Sequence, residues 1–188
     1  MSLTQRDALL SRVCGQVWPF APLLDAVQLR PAARVLDIGG GEGGLLRELE
    51  RRGHNGQREL IDTLKGTDAH ALPFADASFD VVFMVRVLAH LEDPARALAE
   101  AQRVLAASGV LVVAAHGTGH LSGIFGATVG DFGFPLRAEP LYLTLPVVLK
   151  PADQVALAAS YGLSIQPAGE IKTALQLSGW TWQKQERG

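Results

Sequence analysis

The fold is decided by residues 34–44, Arg-Val-Leu-Asp-Ile-Gly-Gly-Gly-Glu-Gly-Gly. The apolar half of this stretch is typical of a short buried strand, and Leu45, Leu46 and Leu49 then follow at helical spacing. Between them, glycines without Cβ atoms allow a sharp turn whose backbone N–H groups can approach a ligand closely. Strand, turn and helix form the first half of a βαβ unit, and we expect a ligand site at the turn.

Asp37 gives this turn a preference for a cationic ligand. It stands two residues before Gly39, at the carboxyl end of the predicted strand, where a carboxylate repels a pyrophosphate but suits an ammonium group. Gly39, Gly41 and Gly44 satisfy the loose spacing of a dinucleotide-binding loop, yet no clear second strand ends in an acid about 20 residues further on. A nicotinamide-dependent oxidoreductase is therefore the weakest functional hypothesis. A glycine-rich turn that binds no ligand is the structural alternative.

Strands and helices alternate along the rest of the chain. The apolar run Phe79–Val85 predicts an interior strand, and the cap-proline pair Asp93-Pro94 begins a predicted helix that ends near residue 108. Residues 110–115 predict the next strand, whereas the polar residues 51–66 give no confident strand. This alternation predicts one α/β domain with a mainly parallel sheet.

Composition excludes several classes of protein. A chain of 188 residues that is 48% hydrophobic and 19% charged can bury a core, so it is not a disordered chain. Its apolar runs fall short of the ~20 residues of a membrane span, and its start lacks an export-signal pattern. The lone Cys14 forms no internal disulfide, and we expect a cytoplasmic location. The net charge of −2 argues against a nucleic-acid partner, and the histidines show no metal-ligand spacing. The oligomeric state is not specified by these features.

Three blocks, in order, resemble the class I S-adenosylmethionine-dependent methyltransferases. Residues 35–43, Val-Leu-Asp-Ile-Gly-Gly-Gly-Glu-Gly, are similar to the family's acidic-x-G-x-G-x-G loop. The second block is Asp-Ala-His-Ala-Leu-Pro-Phe at 68–74 with Ser-Phe-Asp-Val-Val at 78–82. The third is Leu-Ala-His-Leu-Glu-Asp-Pro at 88–94, followed by Ala-Gln-Arg-Val-Leu at 101–105 and Gly-Val-Leu-Val-Val at 109–113. The resemblance covers about residues 30–116 and is to the small-molecule, methyltransferase type 11-like branch.

The resemblance implies a Rossmann-like α/β fold with helices on both faces of a seven-stranded sheet whose last strand is antiparallel. It also implies S-adenosylmethionine as cofactor, S-adenosylhomocysteine as product, and a site at the carboxyl ends of the first strands. Asp37 and the glycine backbone would hold the methionine part, and Asp68 would accept a hydrogen bond from adenine; for Asp68 a simple turn role is the alternative. The implied cofactor-binding residues are Asp37, Gly39, Gly40, Gly41, Gly43, Asp68, Ala69, Val85 and Arg86.

One segment departs from the family pattern. The family's second strand normally ends in an acid that binds both ribose hydroxyls, and a helix and a third strand follow it. Only 28 residues separate Gly39 from Asp68 here, which is too few for all of these elements. Either this unit is truncated in the protein or the sequence lacks a stretch. Glu59 and Asp62 are the candidate ribose acids, and an ordinary surface acid is the alternative for each.

Read through the resemblance, the whole chain is expected to form one methyltransferase domain. Its expected parts are an N-terminal helical lid at 1–30, a cofactor-binding core at 31–116, an excursion that caps the substrate at 117–150, and a closing helix with strands at 151–188. In the last part the predicted strand pair lies at 164–171 and 173–180.

Methyl transfer from a sulfonium needs a general base only where the acceptor is protonated. His116 follows the end of a predicted strand and His90 lies in the third block, so both are candidate catalytic residues. Candidate contacts to a small, apolar or neutral acceptor are Trp18, Phe20, His120 and Tyr142, with core packing as their alternative role. The second functional hypothesis is a methyltransferase-like binding or assembly protein with weak or no catalysis.

Overall fold

The computed structural model describes residues 2–62, 66–125, 138–167 and 169–185. The chain divides into two compact units. The glycine-loop unit comprises the described residues within Leu29–Ala115, Phe132–Leu141 and Gly179–Gly188; the histidine unit comprises those within Met1–Gln28, His116–Asp131 and Tyr142–Ser178.

Six helices and six strands are described, besides a 3₁₀ turn at Leu88–His90. The helices are α1 (Leu3–Cys14), α2 (Phe20–Val27), α3 (Gly44–Arg51), α4 (Pro94–Val104), α5 (Ser122–Phe125) and α6 (Pro151–Ser160). The strands are β1 (Val35–Ile38), β2 (Arg58–Ile61), β3 (Phe79–Val85), β4 (Leu105–His116), β5 (Glu139–Leu149) and β6 (Ile171–Gln183).

The strands have the order β2-β1-β3-β4-β6-β5 in one sheet. The first four are parallel, and Asp37 of β1 is in register with Leu60 of β2 on one side and Phe83 of β3 on the other. β6 runs antiparallel to β4, since the Ser108 N–H donates to the Lys184 carbonyl at 3.1 Å and the Lys184 N–H donates back to Gly109 at 2.9 Å. The predicted Rossmann-like α/β fold is confirmed. The implied seven strands are wrong for the described residues, which contain six.

β2 is the strand that the sequence did not reveal. Its sequence, Arg-Glu-Leu-Ile, has no alternation of apolar and polar residues, and its backbone is satisfied instead by the parallel ladder with β1. Residues 62–78 then lead directly to β3, and no further helix or strand is described among them, residues 63–65 lying outside the described part. Within the described residues the second-strand unit is therefore short, as the spacing predicted.

α4 begins as its sequence predicts. The Asp93 carboxylate accepts a hydrogen bond from the Arg96 N–H at 3.0 Å, and Pro94 occupies the first turn. The helix ends at Val104, four residues earlier than predicted, because Leu105 already pairs with Phe79 as the first residue of β4. Helix and strands share a buried core in the glycine-loop unit, formed chiefly by Leu36, Ile38, Phe79, Val82, Met84, Ala97, Ala101, Val104, Leu111 and Val113.

The histidine unit is held together by contacts between its first helix and α6. Ser2 caps α1, and the Arg12 guanidinium lies 2.8 Å from the Asp153 carboxylate at the start of α6. At the other end of α6, the Arg6 guanidinium donates to Ser160 and lies 3.8 Å from the centre of the Tyr161 ring. Both helices were predicted from sequence.

The closing strands differ from the prediction. The predicted strand at 164–171 is wrong: its described residues before Ile171 are irregular, and the partner of β6 in the sheet order is β5, within the predicted cap. β5 alternates buried or half-buried leucine and valine with exposed residues, a strand pattern that was present in the sequence. Residues 126–137 of the predicted cap lie outside the described residues. Across the described ranges, each helix is too short or too polar to cross a bilayer.

Candidate functional site

The glycine loop turns the chain sharply between β1 and α3. Gly39, Gly41 and Gly43 have φ values of +77°, +53° and +79°, which side-chain-bearing residues rarely adopt. The Gly39 N–H donates to the Ile61 carbonyl at 2.7 Å, and the Gly43 N–H closes the turn onto Gly40 at 2.8 Å. A Cβ on Gly39 would lie 2.7 Å from the Val87 Cβ, so this position excludes every side chain.

Asp37 lies beneath this loop. Its side chain is only 2% exposed, and its Oδ2 atom has no hydrogen-bond partner among the described residues. A Cβ on Gly40 would lie 2.6 Å from the Asp37 Cγ, so the carboxylate packs directly against the loop backbone. Burial, and to a smaller extent the Asp62 charge, raise the Asp37 pKa to about 7, although the Arg86 charge opposes both effects. A buried carboxylate with one oxygen lacking a hydrogen-bond partner among the described residues is stabilised by an added cation.

Asp62 is the acid that follows β2. It is 6% exposed, and a Cβ on Gly41 would lie 3.7 Å from its Oδ2 atom, so this carboxylate borders the middle of the glycine loop. Glu59 is half-buried within β2 and accepts a hydrogen bond from the Gln57 side chain at 3.3 Å. Of the two acids that the sequence left open, Asp62 is the one at the loop. An acid directly after a strand would have favoured Asp62 over Glu59 in the sequence. This argument could not be used because β2 was not predicted.

Val85 and Arg86 lie at the same edge of the sheet as the loop. Because Asp37 is in register with Phe83, the end of β3 adjoins the start of the turn. Val85 is buried, and Arg86 has a φ of +60° with its N–H donating to the Ala114 carbonyl at 2.6 Å. This conformation ends β3 and brings the Arg86 charge close enough to Asp37 to act on its pKa.

Asp68 is fixed by a local turn. Its exposed carboxylate accepts a hydrogen bond from the His70 N–H at 2.8 Å and lies 2.7 Å from the His70 Nδ1 atom. These bonds, the backbone one first, hold the Asp68 pKa below its usual value. Ala69 is buried next to it. The turn role is thus present, and the adenine role of Asp68 stays a prediction.

The histidine unit brings three of the predicted side chains together. The His116 and His120 rings stack with centroids 4.0 Å apart and planes 4° apart, and Trp18 stacks on His120 at 5.8 Å. His120 is 3% exposed, and its Nδ1 atom accepts a hydrogen bond from the Gln176 N–H at 2.9 Å. We call these three rings the histidine stack.

The other predicted residues have different surroundings. Phe20 is half-buried at the start of α2, whereas Tyr142 is 66% exposed on β5. His90 is exposed at the end of the 3₁₀ turn in the glycine-loop unit. Within the described ranges, no group of three His, Cys, Asp or Glu side chains is arranged to hold a metal ion.

The glycine loop, the buried acid and the acid after β2 lie at the carboxyl edge of the parallel strands, which is where Rossmann-like α/β folds bind their ligands. Residues 36–113 match the family described as "Methyltransferase domain". The resemblance identified from the sequence is confirmed for this segment of the chain.

Two of the similar proteins are named as methyltransferases. A demethylmenaquinone methyltransferase of Renibacterium salmoninarum is 38% identical over 112 residues, covering 49% of this chain and 45% of that protein. A malonyl-[acyl-carrier protein] O-methyltransferase of Halorhodospira halophila is 34% identical over 129 residues, covering 57% and 43%. The chain thus spans less than half the length of these relatives. Among solved structures, the MccD protein has a TM-score of 0.58 at 16% identity, covering 91% of this chain and 98% of that one, which supports the fold alone.

Proposed function

We propose that the glycine-loop unit binds S-adenosylmethionine and that the protein transfers a methyl group to a small, apolar or neutral acceptor. The observation that carries this proposal is the buried Asp37 carboxylate, whose Oδ2 lacks a partner among the described residues and packs against a loop of glycines. Such a site fits a ligand with a cationic amino-acid end and a nucleoside. When bound, S-adenosylmethionine supplies a methyl group already activated on a sulfonium.

In this proposal Asp37 and Asp62, together with the glycine loop, each contact a different part of the ligand. Asp37, with the backbone of the loop, faces the ammonium of the methionine part, and the buried Val85 provides an apolar wall. Asp62 accepts hydrogen bonds from the ribose hydroxyls, because it ends β2 next to Gly41. Charge-assisted bonds of this kind contribute roughly 1.5–3 kcal/mol each. Asp68 with the Ala69 amide is kept as the proposed adenine contact.

Transfer to a nucleophile in line with the departing sulfur requires orientation and exclusion of water more than proton chemistry. Where the acceptor carries a proton, we propose His116 as the base that removes it. His120 stacks on His116 and is itself fixed by Gln176, so it restricts the orientation of the His116 ring. Trp18 completes the stack, and because Trp18 and His120 are buried whereas His116 is half-buried, both rings support His116 from within the unit.

Calorimetric titration with S-adenosylhomocysteine and with NADH tests the cofactor. We expect binding of the first and none of the second. Asp62→Asn should lower the affinity for S-adenosylhomocysteine by about ten- to a hundredfold, the equivalent of one lost charge-assisted bond. Glu59→Gln, which removes the neighbouring acid of β2, is the matched control and should leave the affinity unchanged. Equal losses in the two variants would exclude Asp62 as the ribose acid.

The second candidate function is a methyltransferase-like binding or assembly protein with little catalysis. It is favoured by the short segment after β2, which leaves a four-residue strand at the end of the sheet order. Transfer of radiolabelled methyl from S-adenosylmethionine to a panel of small quinones, phenols and acyl esters distinguishes the two. Ligand binding without transfer to any acceptor would favour the second function.

A further inference from the structure

We propose that Asp37, acted on by the charges of Asp62 and Arg86, forms a proton-coupled receptor for the ammonium group of the ligand, so that binding expels one proton from the Asp37 carboxyl group to solvent. This inference rests on the proposed function, because it concerns the same loop. It goes further by assigning Arg86 a task, which is to set the charge of Asp37, and by making ligand affinity depend on pH.

The geometry places two acids under one short turn. Asp37 packs against Gly40 and Asp62 against Gly41, and both side chains are more than nine-tenths buried. Two neighbouring buried carboxylates repel each other when both are ionised, and burial penalises each charge. At Asp37, the charge of Arg86 opposes the effects of burial and of Asp62 but does not outweigh them. A proton on Asp37 or a bound cation beside it removes the cost of this buried negative charge.

The two ways of neutralising the cluster exclude each other. With Asp37 protonated, its carboxyl group offers the ligand's ammonium no charge, and the cation must displace the proton. The Asp37 pKa of about 7 means that near neutral pH about half of the protein without ligand carries the proton that the cation must displace. Affinity for the ligand should therefore depend on pH in a defined direction. As the pH is lowered below 7, it should fall about tenfold for each pH unit, and above pH 8 it should no longer change.

The first test is titration calorimetry of S-adenosylhomocysteine between pH 5.5 and 8.5, in phosphate and in an amine buffer (Bis-Tris below pH 7, Tris above it), because the different ionisation enthalpies of the buffers report the protons released. We expect about one proton released at pH 6 and about none at pH 8.5. The control ligand is 5′-methylthioadenosine, which keeps the nucleoside and lacks the ammonium; its affinity should not change across this range.

Three substitutions test the assigned roles through the midpoint of the pH dependence. Asp62→Asn removes the repelling charge and should move the midpoint to lower pH, whereas Arg86→Gln removes the opposing charge and should move it to higher pH. Asp37→Asn should abolish the dependence. Should a variant fail to fold, carbon-13 NMR of the Asp37 carboxyl in the wild-type protein without ligand gives the same midpoint, which we expect near pH 7.

The outcomes separate the two proposals. Binding of S-adenosylhomocysteine with a flat pH profile and no proton release overturns the receptor and leaves the proposed function standing. Midpoint shifts in the same direction for Asp62→Asn and Arg86→Gln also overturn it. Absence of S-adenosylhomocysteine binding at every pH overturns both proposals.

Discussion

The segments that follow β1 and β4 make opposite use of the same kind of position, the carboxyl end of a parallel strand. After β1 the chain has glycines, and the absence of Cβ atoms leaves room beside the buried Asp37 carboxylate. At the end of β4 the chain has histidines, and their rings stack on each other and on Trp18. The first arrangement keeps a polar group available for a ligand, whereas the second uses aromatic surface to fix a side chain.

The largest effect is expected from Gly39→Ala, which tests whether the loop after β1 requires glycine. The substitution imposes a left-handed conformation on a residue with a Cβ, which costs about 1–2 kcal/mol, and forces that Cβ against Val87, which costs about 1–3 kcal/mol more. We expect the free energy of unfolding in denaturant to fall by the sum of these effects.

Gly53→Ala is the matched control for Gly39→Ala, because Gly53 has the same φ of +77° and nothing within 4 Å of its added Cβ. It should show only the conformational cost. If the two alanine variants lose the same stability, the packing of Val87 against the loop is not what requires glycine at position 39.

The next largest effect concerns the buried acid, through Asp37→Asn. A folded-state pKa of about 7, raised above its ordinary value of 3.8, means that the wild-type protein loses stability as pH rises from about 4 to about 7. Relative to wild type, Asp37→Asn should therefore gain stability over that window, by up to about 4 kcal/mol at pH 8. Urea unfolding at pH 4, 6 and 8 measures the difference.

Other carboxylates also make the free energy of unfolding depend on pH, but they do not contribute to the difference between wild type and Asp37→Asn. Hydrogen bonds from arginines hold the pKa values of Glu48, Asp80 and Glu100 below their usual range, so these groups stabilise the fold at neutral pH and lose that contribution in acid. They are the same in both proteins, and the difference between the two curves isolates Asp37. A difference that does not vary with pH would show that the Asp37 pKa is not raised in the folded protein.

The two regions also differ in how far they were predictable. The glycine loop is local: β1, the turn and α3 follow one another within residues 34–51, so a sequence pattern contains the whole arrangement. The histidine stack joins Trp18 to His120 across about a hundred residues, and no periodicity links them. The sequence analysis therefore identified His116, His120 and Trp18 as separate candidate residues but did not predict that their rings stack.

Two strands were missed for different physical reasons. β2 is held by its ladder with β1 rather than by an apolar pattern, and Asp62 went unassigned with it. β5 does alternate, but Pro140 and Pro146 weigh against a strand in a sequence reading. Since β5 is the last strand in the sheet order, prolines are tolerated there in a way that an interior strand would not allow.

A smaller effect is expected in the histidine stack, from His120→Leu. Leucine has a similar volume but cannot accept the hydrogen bond that the Gln176 N–H gives to Nδ1, and a buried unpaired N–H costs about 1–3 kcal/mol. The stacking with His116 is lost as well. We expect a lower free energy of unfolding, measured in urea, with the affinity for S-adenosylhomocysteine unchanged. A parallel loss of that affinity would contradict the division of roles proposed for the two regions.

The smallest effect is expected from the same substitution at an exposed histidine, His90→Leu. His90 ends a 3₁₀ turn that is held by a bond between its own backbone N–H and the Val87 carbonyl, which leucine retains. The free energy of unfolding should change by less than about 0.5 kcal/mol, as for most exposed positions. Comparison with His120→Leu then separates the loss of an imidazole as such from the loss of a buried, stacked and hydrogen-bonded one. If both variants lose equal stability, burial and stacking are not what make His120 matter, and the contrast between the two segments fails on its histidine side.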